Sequence, residues 1–269
     1  MISYCIAVYR PVYARLLIAD LVRKTSSGVP FEILLWLNVA DAGFDAFLSD
    51  GETAGWPLRI IGRTPQNIGM RAYRDLFQAS RFPLIVQIDD DVVCVSRGIA
   101  ELATSVFATH ADVRQIVADV WQDDLTTGAR PPMTQYACVD ATDGLYDGPI
   151  DGWFSIYHRS ILPLLLSLPF RQYCCLGAAT RARLAQRHLR GVLCTRMTVF
   201  HVIGPAYASL FAMREFEVDK YRRLGRADIV HWYEREALPA RALLESRFAA
   251  ITASLDSTTS TTRAASSGP

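Results

Sequence analysis

The stretch Leu84–Ile88, followed without a break by Asp89, Asp90 and Asp91, constrains the fold of this chain more than any other. The apolar, β-branched run reads as a buried strand, and the three carboxylates at its end need a counter-charge. On an extended backbone successive side chains alternate faces, so Asp89 and Asp91 point one way and Asp90 the other. At an effective dielectric of about 20, two carboxylates ~4 Å apart repel by roughly 4 kcal/mol, a cost that a divalent cation removes. Two oxygen donors on one side suit a hard ion such as Mg2+ or Mn2+, which in turn grips a diphosphate. The competing reading is a solvated turn after a strand.

The rest of the chain supplies this strand with neighbours. Ile2 to Val8 reads as a core strand, and Pro11 suits the first turn of a helix with Val12, Leu16, Ala19 and Val22 on one face. Gly28 and Pro30 break the chain before a second strand, Phe31 to Leu37, and Leu58 to Ile61 is a third, with an irregular Asp/Gly segment between them. Ile68 to Ser80 and Ser96 to Phe107 read as helices on either side of the Asp-bearing strand. This alternation predicts an α/β fold with a mostly parallel central sheet and flanking helices, whose ligand crevice opens at the carboxyl ends of the strands. Further on, Val113 to Trp121 and Trp153 to Tyr157 read as strands, Leu125 to Gly148 as polar and turn-rich, and Ile161 to Leu168 and Gly177 to Gly191 as helical. Val192 to Val202 is a β-branched run containing His201.

These elements predict one domain over residues 1–205, a helical extension over 206–253 and a disordered tail over 254–269, where Ser, Thr, Ala and Gly bury too little apolar surface to offset ordering entropy. In the extension Val218, Tyr221 and Leu224 share a face, while Arg222, Arg223 and Arg226 mark a solvated side. A net charge of +1 gives no drive towards nucleic acid. The six cysteines form no Cys-x-x-Cys pair, which favours buried free thiols and a reducing cytoplasm over a disulfide framework or a zinc site. No basic leader and no apolar run of 18 residues is present, although the Arg-rich extension leaves a peripheral membrane contact open.

Four segments, taken in order, resemble the GT-A glycosyltransferases of family 2, which use nucleotide-diphosphate sugars. They are Cys5 to Pro11 at the first strand end, Gln66 to Gly69 before a helix, Gln87 to Asp91 as an Asp-x-Asp motif, and Phe200 to Gly204. The resemblance covers roughly residues 2–205. It implies that Val8, Tyr9 and Arg10 hold the nucleobase together with Asn38 or Asp41, that Asn67 and Gly69 form a close-approach turn, and that Arg71 or Arg74 reaches a phosphate. Asp89 and Asp90 then lie against the donor. Asp89, Asp91 and the distant His201 hold Mn2+ or Mg2+, which neutralises the leaving diphosphate.

The resemblance breaks at the acceptor side. Such enzymes carry an acidic residue just before a helix of the kind seen here from Thr180 to Gly191, where it deprotonates the acceptor hydroxyl. Those positions are Ala178 and Ala179. A base must therefore come from Asp151 or Asp147, or the reaction is retaining, or catalysis is lost. Gly152 and Trp153 fall where acceptor-side residues are expected, with Trp153 either stacking on a sugar or packing in the core. The resemblance thus implies a metal-dependent sugar transfer to a hydroxyl acceptor that is a glycan, a lipid-linked group or a small molecule. A catalytically impaired nucleotide-sugar binder and a nucleotidyltransferase are the alternatives.

Overall fold

The protein is described by a computed structural model, which covers residues 1–126, 130–172 and 175–257. Strands and helices alternate as β1 (Ile2–Val8), α1 (Pro11–Lys24), β2 (Phe31–Leu37), α2 (Ala42–Thr53), β3 (Leu58–Arg63), α3 (Ala72–Ala79) and β4 (Leu84–Ile88). They continue through β5 (Val92–Val95), α4 (Ile99–Thr109), β6 (Val113–Val120), β7 (Ala137–Asp140), β8 (Leu145–Asp147), β9 (Phe154–His158), α5 (Leu162–Leu166), α6 (Leu176–Ala185) and β10 (Arg190–His201). The chain closes with α7 (Pro205–Leu210), α8 (Arg214–Arg223), α9 (Ala227–Arg235) and α10 (Arg241–Ser257). The last helix thus runs into the stretch expected to be tail, and the remainder of that tail, 258–269, lies outside the described residues.

One ten-stranded sheet in the order β3-β2-β1-β4-β9-β6-β10-β8-β7, with β5 paired to β10, organises the molecule. The pairs β1/β2, β1/β4, β2/β3 and β6/β10 are parallel, and β9 runs antiparallel between β4 and β6. All the long strands except β9 therefore point the same way, and their carboxyl ends form one edge where ligand-binding loops collect. Period-two burial separates the two faces. Ile2, Tyr4, Ile6 and Val8 pack with Ala14, Leu17 and Ile18 of α1, whereas Cys5 packs with Tyr73, Leu76 and Phe77 of α3.

Three departures from the expected layout have local causes. α1 buries Tyr13, Ala14, Leu17, Ile18 and Leu21 rather than the Val12/Leu16 stripe, which is 42% and 37% exposed. Both faces are apolar, and the docking of α1 selects between them. The expected irregular segment is the helix α2, started by the Asp41 carboxylate, whose Oδ1 accepts the Phe44 N–H at 2.7 Å. The polar stretch before β9 contains the hairpin β7/β8. Cys5, Cys94 and Cys194 are buried thiols, Cys138 and Cys175 are exposed, and Cys174 falls outside the described residues.

The C-terminal helices return to the front of the sheet. Phe200 of β10 and Tyr13 of α1 share an apolar cluster with Tyr207 and Leu210 of α7 and Leu244, Ile251 and Leu255 of α10. Arg23 and Lys24 of α1 bind Asp256 at 2.7 and 2.9 Å. Anchored at both ends, the extension lays α8 across the carboxyl end of β1.

Candidate functional site

At the end of β4 the three carboxylates divide as strand alternation requires. Ligand atoms of Asp89, Asp91 and His201 lie within 4.8 Å of one another. Asp90 turns the other way: its Oδ2 accepts the Tyr9 and Arg10 backbone N–H groups at 2.6 Å each, and its Oδ1 accepts Arg10 Nε at 2.9 Å. Asp90 therefore fastens the β1 end to the β4 end, and it also borders the smaller cavity described below. His201 arrives because β10 pairs antiparallel with β5, which sets it opposite Val92, with Val202 N–H bound to Asp91 O at 2.8 Å.

The two carboxylates facing His201 are in opposite electrostatic states. Asp91 accepts from Arg10 Nη1 at 2.6 Å and shares a hydrogen with His201 Nε2 at 2.9 Å. Burial opposes its ionisation, but Arg10 and His201 outweigh that and hold it well below the usual carboxylate range. His201 is correspondingly raised, since the pull of Asp91 exceeds the cost of burial. Among the described residues nothing hydrogen-bonds the Asp89 carboxylate, and burial together with repulsion from Asp91 pushes it up to about 7. Two carboxylates and an imidazole form a donor set that suits Mn2+ or Mg2+, and a cation there would offset the repulsion between Asp89 and Asp91.

Arg10 does not stand free to meet a nucleobase, as the sequence suggested. Its guanidinium is bonded to Asp90 at 2.7 Å, to Asp91 and, at 2.9 Å, to Glu217 of α8. Glu217 is 4% exposed and its second oxygen pairs with Lys220 one turn later. Glu217 and Lys220 were invisible as site residues in the sequence, because an i,i+3 ion pair is what any solvated helix displays.

Two adjoining cavities, of about 450 and 240 Å3, open beside this network. The smaller is bounded by Tyr9, Asn38, Asn67, Gly69, Asp89 and Tyr221, and the larger by Tyr9, Asn67, Arg71, Gln172, Lys220 and Arg223. Asn38 is 1% exposed; its Oδ1 accepts the Ile68 N–H at 3.1 Å while its Nδ2 has no partner among the described residues, leaving a buried donor at the cavity wall. Asn67 Oδ1 caps the Gly69 N–H at 2.8 Å, and Gln172 Nε2 bonds Asn67 O. Gly69 has φ +55°, and a Cβ there would meet Gln172 O at 2.0 Å, so both backbone conformation and close approach demand glycine.

Other expected donor contacts fall away. Val8 is buried in the core, Asp41 caps α2 on the surface, and Arg74 is exposed and bounds neither cavity.

The acceptor side is built differently. Trp153 is 8% exposed and its Nε1 donates to Ala118 O at 2.7 Å, so the ring is a core wedge between β9 and β6 and cannot stack on a sugar. Gly152 is needed for packing, since a Cβ would meet Gln87 Nε2 at 2.2 Å. Asp147 is paired at 2.5 Å with Arg181 of α6. Asp151 remains: its Oδ1 accepts the Gly152 N–H at 2.7 Å, and its backbone lies so close to α6 that a Cβ on Gly177 would meet it at 2.5 Å. Asp151 thus stands beside the first turn of the helix that carries Ala178 and Ala179, and its charge is among those that raise Asp89.

No protein-family model matches this chain, and no curated protein gives a significant sequence match. Solved structures do resemble it. The Pyrobaculum calidifontis mannosyltransferase PcManGT, in complex with GDP-Man and Mn2+, aligns at a TM-score of 0.54 with 14% identity over 94% of this chain and 80% of that one. S. aureus TarS 1-349 in complex with UDP gives 0.56 with 11% identity over 86% and 70%. GalNAc-T7 with UDP, GalNAc and Mn2+ also gives 0.56, at 11% identity over 82% and 50%. At such identities the likeness speaks for architecture, and the architecture of this chain is the GT-A fold of nucleotide-sugar glycosyltransferases.

Proposed function

We propose that this protein is a metal-dependent glycosyltransferase that moves a sugar from a nucleotide-diphosphate sugar to a hydroxyl acceptor. The observation that carries the reading is the meeting of Asp89, Asp91 and His201 within 4.8 Å at the carboxyl edge of a GT-A sheet. Those three residues would hold Mn2+ or Mg2+, and the ion would supply a Lewis acid for the leaving diphosphate. Tyr9 and the buried Asn38 amide would position the base, and the Asn67–Gly69 turn would let the backbone approach the donor closely. Asp151, beside the amino end of α6, is the residue to take the proton from the acceptor hydroxyl. Neighbouring structures bound to GDP-Man, UDP or Mn2+ support the donor class.

Ala178 and Ala179 motivate a second reading, a nucleotide-sugar binder that does not transfer. Incubating the protein with a panel of nucleotide sugars, with and without Mn2+, tests both. Metal-dependent release of a nucleoside diphosphate supports the transferase, binding without turnover favours the second reading, and neither binding nor turnover contradicts both. Among the described residues no helix is long and apolar enough to cross a membrane.

A further inference from the structure

We infer that Lys220, on helix α8 of the C-terminal extension, binds the donor's diphosphate, and that the buried Glu217 is the residue that positions it. The inference rests on the nucleotide-sugar reading above and deepens it. Lys220 bounds both cavities, the small one that reaches Asp89 and Asn38 and the large one that it shares with Arg71 and Arg223. A diphosphate seated in the smaller cavity beside Asp89 would therefore border Lys220.

The partners of Lys220 explain how it is held ready. Glu217 pairs through one oxygen with Arg10 and through the other with Lys220, so a single buried carboxylate bridges both cations. Arg10 is fixed further by Asp90 and Asp91, whereas Glu217 is the only carboxylate paired with Lys220 among the described residues. Lys220 is thus the member with fewer ionic partners: its Nζ lies over the Tyr221 ring, 4.3 Å from the centroid, and rotation of its four-carbon stem would carry the ammonium from Glu217 to a phosphate oxygen while Arg10 stays paired with Glu217. A compact ammonium with freely rotating donors suits such an exchange better than a planar guanidinium. Lys24 and Lys220 are the two lysines among 28 basic residues, and Lys24 is buried in the α1–α10 contact.

Calorimetric titration of UDP, GDP, ADP, CDP and dTDP, each against its parent nucleoside, in the presence of Mn2+, tests the inference on the full chain. For the diphosphate that the native protein binds, Lys220→Met should weaken affinity about tenfold, in keeping with the loss of one charge-assisted contact, while affinity for the nucleoside stays unchanged. Lys220→Arg should restore most of the loss, and Glu217→Gln should weaken diphosphate binding less than Lys220→Met. Circular dichroism establishes that each variant is folded, and Lys220→Arg serves as the test should Lys220→Met fail to fold. Native binding of a diphosphate with the same affinity in Lys220→Met, or equal losses for nucleoside and diphosphate, overturns this inference alone. Failure of the native chain to bind any of the five overturns the nucleotide-sugar reading together with it.

Discussion

The two sides of this site, which the proposed function assigns to donor and acceptor, share one sheet edge yet are held by different physics. The donor side is an ionic lattice: Asp90, Asp91 and Glu217 all converge on Arg10, with His201 and Lys220 at its ends. The acceptor side is a packing joint, in which Trp153 and Gly152 wedge β9 against its neighbours and α6 touches the Asp151 backbone. An ionic lattice can exchange partners when a cation and a phosphate enter, whereas a packing joint can only be filled or broken. On the proposed function, donor recognition would be distributed over distant segments, while acceptor chemistry would hang on one carboxylate.

The largest expected effect lies on the side with fewest groups. If Asp151 is the base, Asp151→Asn should lower transfer by about 10²- to 10⁴-fold, with donor affinity little changed. Full activity with inversion of the anomeric centre in that variant would remove the acceptor side from the account. Next comes Arg10. Replacing it with Met leaves Asp90, Asp91 and Glu217 without their shared cation, and urea unfolding should show a loss of about 3–5 kcal/mol. A loss below about 1 kcal/mol would mean that the lattice is solvated and not structural.

Gly69→Ala should cost at least ~2 kcal/mol, because the residue has φ +55° and faces a backbone carbonyl that cannot rotate away. It should also weaken donor binding by displacing the Asn67–Gln172 wall; unchanged stability would refute the close approach. Asp147→Asn is the smallest change. Its ion pair with Arg181 is exposed by 44% and 39% at the two side chains, so stability should fall by less than about 1 kcal/mol and transfer should persist. A transfer loss comparable to that of Asp151→Asn would exchange the roles of the two carboxylates.

How far the sequence revealed this division depends on the range of the interactions concerned. Strand alternation through Asp89, Asp90 and Asp91 is a local property, so the opposed directions of the carboxylates could be read directly. The arrival of His201 rested on a resemblance and on a contact with Asp91 that spans 110 residues of sequence. The placement of α8 had no local signal. Nothing in an Arg-rich helix distinguishes a solvated face from one laid over a crevice, and here the anchors of α10 on α1 decide the matter. The buried face of α1 was misread for a related reason: both of its faces are apolar, and only the partner selects one. Asp90 looked like a ligand because acidity, not its bonds to the Tyr9 and Arg10 N–H groups, is what a sequence displays.

The central claim is that Asp91, together with Asp89 and His201, holds the cation through which a nucleotide diphosphate binds. Thermal unfolding of the native chain and of Asp91→Ala, each with saturating nucleoside diphosphate and with or without Mn2+, tests it most directly. At 100 times the dissociation constant a ligand adds ~2.7 kcal/mol, which for a protein of this size raises Tm by roughly 5–10 °C. The account predicts that rise in the native protein only when Mn2+ is present, and no rise in Asp91→Ala. An equal Mn2+-dependent rise in both proteins would contradict it.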